Sequence, residues 1–208
     1  MESSNNTTEI RMAVLGDWVP PQLADVLALQ RAEEPETPVV VVGCTDPEQR
    51  GELPGGGFDF VLSAADRTWP GWVCEPLWHD ALAIAVPKRS HLLAYREVPY
   101  EEVLKQPLIC SRSAVGERWR MTLQRLSDSA LQSCEQMVDT FDMAMTLVAA
   151  GYGVAAAPAR RLACYANNGI VFRPLAGVPT IVMAYLLRQD VSLADSQARF
   201  VRRARLLA

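Results

Sequence analysis

Three short stretches carry side chains suited to holding a small molecule. Gly16-Asp17-Trp18-Val19 follows one apolar run, Ser111-Arg112-Ser113 follows another, and Thr140-Phe141-Asp142 opens an apolar helical segment. Thr45 stands at a fourth such exit. The hydroxyls of Thr45, Ser111, Ser113 and Thr140 suit an oxygen-rich ligand. Arg112 brings a planar guanidinium that can grip a carboxylate with two hydrogen bonds. Trp18 and Phe141 can sandwich a ring between them. Asp17 works against an anion and would select an amine or a polyol donor, which leaves the charge of the ligand open. Gly16 belongs to the same loop. All these positions lie at carboxyl ends of strands or at a helix N-terminus, where α/β proteins bind polar and anionic ligands.

Catalytic chemistry finds little support. No G-x-S-x-G elbow is present, and the two histidines, His79 and His91, are far apart and form no triad. The Gly55-Gly56-Gly57 run is not followed by Gly-Lys-Ser/Thr, so it is a turn and not a phosphate loop. Five cysteines, at 44, 74, 110, 134 and 164, are odd in number and have no C-x-x-C pair. They read as reduced, mostly buried thiols, with no zinc site. No catalytic residue, metal or cofactor is expected, although Asp17 or Asp142 would be the base if the chain were a hydro-lyase.

The 208 residues allow one large domain or two small ones. A net charge of −4 and a pI near 5.3 do not make a nucleic-acid surface. The N-terminus, MESSNNTTE, has no basic start and no apolar core of a secretory signal. The longest apolar stretch, around 143–159, is broken by Thr146 and two glycines and is too short to span a bilayer. A cytoplasmic protein without membrane contact is expected, with residues 1–8 as a disordered tail or linker remnant.

The elements that position these residues alternate. Ile10–Leu15 reads as a strand, and Pro20-Pro21 starts a helix with Leu23, Val26 and Leu27 on its apolar face. Val39–Val42 is a β-branched strand, a weak helix covers about 47–53, and Phe58–Leu62 is a third strand. This alternation predicts a parallel sheet with right-handed crossovers. Residues 64–78 read as irregular and Trp-rich. Ala81–Val86 is a strand, Val98–Lys105 a short helix, Pro107–Cys110 a strand, and Trp119, Leu123 and Leu126 mark another helix. Gln132–Val138 is a strand. In TFDMAMTLVAAGYGVAAAP, Thr140 caps a helix whose apolar stripe is Met143, Leu147 and Ala150. Gly151 stops it, and Val154–Ala157 is a buried strand closed by Pro158. Ala159–Tyr165 is a helical turn, Asn167-Asn168-Gly169 a tight turn, and Ile170–Leu175 and Ile181–Leu187 are strands. Ser192 and Asp195 cap a final helix. Its apolar face is Phe200, Val201, Ala204 and Leu207, and Arg199, Arg202, Arg203 and Arg205 form a solvated surface.

Three motifs, LVAAGYGVAAAP, PLWHDALAIAVPKRSHLLA and IVFRPL, are ordered and spaced as in LysR-type transcriptional regulators, and the chain resembles their effector-binding domain from about residue 9 onward. FDFVLS occupies the place of a family strand, while Leu92 departs from the usual proline and His91 becomes a structural loop residue. The resemblance implies an α/β fold of the type 2 periplasmic-binding-protein kind, with two Rossmann-like subdomains joined by two crossover strands. The expected division is 9–80 plus 183–208 for the first subdomain and 81–182 for the second. It implies an effector bound in the cleft between subdomains. It also implies homodimers or homotetramers, built through the second strand, its helix and the first helix. DNA would be bound only through a winged helix-turn-helix that precedes this domain in the family and is missing here. A solute-binding protein of a transporter, and less so a small hydro-lyase, are the other proteins expected of this fold.

Overall fold

The computed structural model describes residues 9–16, 18–44, 57–112, 136–166, 168–177 and 181–207, and of 181 and 182 the backbone alone. In chain order the elements are β1 (Ile10–Leu15), α1 (Gln22–Glu33), β2 (Val39–Cys44), β3 (Phe60–Ser63), β4 (Trp72–Asp80), β5 (Leu82–Pro87), α2 (Tyr100–Leu104), β6 (Ile109–Ser111), β7 (Gln136–Val138), α3 (Phe141–Ala149), β8 (Ala155–Pro158), α4 (Ala159–Ala163), β9 (Ile170–Pro174), β10 (Ile181–Gln189) and α5 (Asp195–Leu206). A 3₁₀ turn, His91–Ala94, follows β5. The helix expected at 47–53, the one around Trp119, Leu123 and Leu126, and the start of the strand at 132 lie outside the described residues. The chain divides into two compact units, Met1–Trp78 with Val182–Ala208, and His79–Ile181.

The first unit is built on a five-stranded sheet in the order β2-β1-β3-β10-β4. β1 runs parallel to β2 and β3, and β10 runs antiparallel to β3. Residues 64–78 are therefore not irregular throughout, since β4 starts at Trp72 and adds a sheet edge. The bulky Trp and Val of this segment suit a pleated surface better than a loop. One sheet face packs Met12, Val14, Phe60 and Leu62 against Leu23 and Val26 of α1 and Phe200, Val201 and Ala204 of α5. Phe60 and Phe200 stack with centroids 5.4 Å apart. Trp78, 1% exposed, donates its indole N–H to the Ala204 carbonyl at 3.0 Å, so its one polar atom is satisfied inside the core.

Of the arginines of α5, Arg203 is not part of a solvated surface. Arg203 is 5% exposed and donates from Nη2 to Glu34 Oε1 (2.6 Å), from Nε to Glu33 Oε2 (2.6 Å) and from Nη1 to Gln30 Oε1 (2.7 Å). Arg199 also pairs with Glu34 and Arg205 with Glu75, but both pairs are made from the surface, and Arg202 and Arg205 are exposed as expected. The reason is register: α5 lies against α1, and the last turn of α1 ends in the carboxylates Glu33 and Glu34. The helix start differs as well. Ala194, not Ser192, is the N-cap, and Gln197 Oε1 accepts from its N–H at 3.0 Å. Alanine has no acceptor, so only this half of a capping box forms.

The second unit holds a three-stranded sheet, β8-β5-β9, antiparallel throughout, and a parallel pair, β6-β7. Bridging bonds from Ile109 N–H to the Val154 carbonyl and from Val154 N–H to the Pro107 carbonyl (both 2.9 Å) lay β6 beside β8. That contact accounts for Gly153 in the motif. A Cβ there would sit 2.4 Å from the Pro107 carbonyl oxygen. Gly151 has φ +85° and closes α3 as a Schellman turn, with Gly151 N–H on the Val148 carbonyl and Tyr152 N–H on the Leu147 carbonyl (both 3.0 Å). The buried stripe of α3 is Phe141, Ala144, Met145 and Val148, and not Met143, Leu147 and Ala150; Met143 is 51% exposed. The helix is apolar on more than one face, so periodicity alone offers two stripes, and the larger Phe141 takes the core. At the start of β5, Asp80 accepts from Ala81 and from Arg160 N–H (both 2.8 Å), which caps α4. Of the four described cysteines only Cys110 is buried and Cys164 is exposed, so the thiols are not mostly buried.

Two outcomes follow for stability. Arg203→Ala leaves Glu34 with Arg199 alone and is expected to destabilise by roughly 1–3 kcal/mol in urea unfolding. Hydrogen bonds from Arg199 and then Arg203 hold the Glu34 carboxyl at about 2, below its ordinary 4.5. Its contribution is therefore complete above pH 4.5 and is lost as pH falls toward 2; Glu34→Gln removes that part of the acid sensitivity. For Gly153→Ala, the clash with Pro107 is expected to cost roughly 1–3 kcal/mol. Gly43→Ala, with nothing within 4 Å of the new methyl, should stay within about 0.5 kcal/mol.

Candidate functional site

In the second unit, parallel pairing of β6 with β7 sets Ser111 opposite Val138. The two exits therefore run out together. Arg112 N–H donates to the Val138 carbonyl at 2.8 Å, and the next residues on the β7 side are Asp139 and Thr140. Ser111 is 3% exposed. The Arg112 guanidinium is out in solvent, with Nη1 3.6 Å from Asp139 Oδ1 and side-chain exposures of 66% and 85%. Thr140 is the N-cap of α3 as expected, and its Oγ1 accepts from Met143 N–H at 3.2 Å. Ser111, Arg112 and Thr140 are thus brought together at one helix N-terminus. Ser113 lies outside the described residues.

Two carboxylates temper this positive end. Asp139 was not among the expected site residues, although its position just before the cap marks it as a neighbour of the helix start. Asp142 in the first turn accepts from the Tyr165 hydroxyl. Burial first, and then Asp142, push that hydroxyl up to about 12, so it stays a donor at neutral pH. Thr146 Oγ1 donates back to the Asp142 carbonyl at 2.9 Å.

Phe141 does not offer its ring for a sandwich. It is 7% exposed, the Arg161 guanidinium lies 3.7 Å over its centroid, and Tyr165 meets it edge-on at 5.4 Å. The side chain is packing for α3 and α4, because an aromatic in the first turn of an inward-facing helix stripe points into the core.

In the first unit, Gly16 takes φ +105°, a conformation that favours glycine, and donates its N–H to the Cys44 carbonyl at 3.0 Å. This turns the chain sharply at the end of β1. Trp18 packs on the core beside a narrow crevice of about 10 Å³ formed with Leu15, Pro20, Ser63, Ala64 and Met183. The crevice holds no more than a water-sized group. Ser63, at the exit of β3, sits among these residues without having been expected there. Its Oγ accepts from Ala65 N–H at 3.2 Å. Asp17 and Thr45 lie outside the described residues. Among the described residues no group of three or more histidines, cysteines or carboxylates is placed to hold a metal, and no helix is long and apolar enough to cross a membrane.

A family model, the LysR substrate binding domain, matches residues 3–205. The chain belongs to this family. As a LysR substrate-binding domain it is the effector-sensing part of a transcriptional regulator, on a type 2 periplasmic-binding-protein-like fold. Such domains are regulatory and not enzymatic. Solved LysR structures share the fold. The effector-binding domain of BenM with its effector benzoate superposes with a TM-score of 0.80 at 17% identity, over 94% of this chain and 90% of that one. HinK, a LysR family transcriptional regulator from Pseudomonas aeruginosa, gives 0.82 at 16% identity, over 95% and 69%. Full-length CbnR complexed with its target DNA gives 0.78 at 19%, over 96% and 70%. No curated protein matches the chain.

The cap geometry sets two expectations. Thr140→Ala should lower stability by about 1 kcal/mol through the lost N-cap bond. Arg112→Ala, which breaks only an exposed pair, should change it by less than about 1 kcal/mol. Thermal unfolding of the two variants side by side checks both.

Proposed function

We propose that this LysR domain binds its effector at the strand-exit residues Ser111, Arg112 and Thr140 of the second unit. The observation that supports this is the gathering of an exposed guanidinium and the threonine N-cap of α3 at the joint exit of β6 and β7. These donors suit an oxygen-rich small molecule. Arg112 is the anchor for a carboxylate. The BenM domain carries benzoate, an aromatic carboxylate, and that class is the first to try here.

Binding favours one arrangement of a regulator whose states differ little in free energy, and the full-length oligomer passes that shift to DNA bound elsewhere in the protein. Association as a homodimer or homotetramer is supported by the edge strand β2, where Val40 and Val41 are 38% and 40% exposed. The cytoplasm is the compartment in which such a regulator meets both its effector and DNA.

A thermal-shift panel of aromatic acids, amino acids, sugars and amines tests the site. A carboxylate that binds only the native state raises the melting temperature, by the equivalent of about 2.7 kcal/mol at one hundred times its Kd. With Arg112→Ala the shift should disappear while the melting temperature without ligand stays nearly unchanged. A shift that survives the substitution would remove Arg112 from the site.

A further inference from the structure

The second unit has another concave surface, away from the β6 and β7 exits. A groove of about 740 Å³ runs along β9 and is closed on its other side by Leu93, Ala94, Tyr95 and Arg96. β9 is an edge strand, hydrogen-bonded to β5 alone in its sheet. Its register tells which backbone groups face the groove. Leu175 N–H donates to the Leu82 carbonyl at 3.1 Å, so in this antiparallel ladder the alternate residues Val171 and Arg173 also turn their N–H and C=O toward β5. Ile170, Phe172 and Pro174 turn theirs outward. The Pro174 carbonyl is taken by Val98 N–H at 2.8 Å, and Val98 bridges to Leu175 in parallel. Ile170 and Phe172 have no such strand among the described residues, and the Phe172 carbonyl turns to the Arg173 guanidinium at 3.1 Å.

The charges along the groove have one sign. Its lining holds two arginines, Arg96 and Arg173, and no carboxylate. Among the described residues neither arginine forms an ion pair. Lys88 and Arg89, exposed in the turn after β5, extend the basic surface, with Glu97 as the acidic neighbour. The chain as a whole has a net charge of −4, so this local excess is against the average. The floor is apolar, with Ile170, Val171, Phe172 and Leu93.

We infer that the β9 groove is a docking site for an extended acidic peptide segment of a partner protein, which adds to β9 as a strand through Ile170 and Phe172 and places carboxylates on Arg96 and Arg173. Main-chain bonds supply the affinity of such strand addition, and alternate side chains supply the selectivity. Val98 already makes the first rung of that outer ladder, which fixes where the added strand must stop.

The test is selection from a library of eight-residue peptides on the full chain, followed by fluorescence anisotropy of the enriched sequences. Enrichment of Asp and Glu over the input is expected. Binding should fall at least tenfold with Arg96→Glu, and at least threefold with Arg173→Gln, a variant that removes the charge but keeps a polar side chain. N-methylation of alternate peptide amides should abolish binding in one register and spare it in the other. Enriched peptides without acidic bias, or binding indifferent to both arginine variants, would each overturn the inference. None of these readouts depends on whether Arg112 binds an effector.

Discussion

The first unit depends on one buried carboxylate. Glu34 closes α1, and two guanidiniums from α5, the last helix of the chain, converge on it. Around it Arg203 also reaches Glu33 and Gln30, and Gln30 in turn donates to the Thr37 carbonyl at 3.1 Å. The network therefore joins the first helix, the turn before β2 and the C-terminal helix. A buried ion pair is not in itself a large source of stability, because desolvation offsets most of the attraction. Its value here is in register. Phe200 and Ala204 reach the sheet only when Arg203 sits over the end of α1, and Trp78 fixes the same turn of α5 from the other side through Ala204. Apolar packing supplies the driving force and the polar network selects one alignment of it.

The second unit solves its alignment differently. It uses backbone. Gly153 lets β6 and β8 approach to hydrogen-bonding distance, and the Schellman turn at Gly151 sets the angle at which the chain leaves α3 for β8. Asp80 then ties the start of α4 to the beginning of β5. With these three fixed, the exits of β6 and β7 emerge together, and the N-terminus of α3 follows immediately. The candidate site is thus a product of strand pairing more than of the site residues themselves.

Much of this was legible from sequence. The β-branched run at Val39, the Pro20-Pro21 start, the Thr140 cap and the Gly151 stop all act through local stereochemistry, and local rules read them. The motif-bearing half of the chain also carried its family. What escaped depends on partners distant in sequence. No local rule says that Arg203 will be buried, since Glu34 is far from it along the chain. The stripe of α3 was misread because two apolar stripes lie side by side on it, although Asp142 and Thr146 mark the face that stays in solvent. Phe141 and Trp18 looked alike as rings beside a site, yet Phe141 is covered by Arg161 and Tyr165, a contact that sequence spacing does not reveal. Asp139 went unnoticed because its meaning comes from the parallel neighbour of β7.

Arg112 and Asp139 give the site a property beyond shape. The guanidinium is not a bare cation waiting for an anion; it already has a carboxylate within 3.6 Å. If the effector binds as proposed, its carboxylate exchanges with Asp139, which is released to water. The net charge change at the guanidinium is then small. Recognition by such an exchange is set by geometry and by the second hydrogen bond a bidentate ligand adds, and it responds only weakly to ionic strength, because screening weakens the pair that is lost along with the pair that is gained.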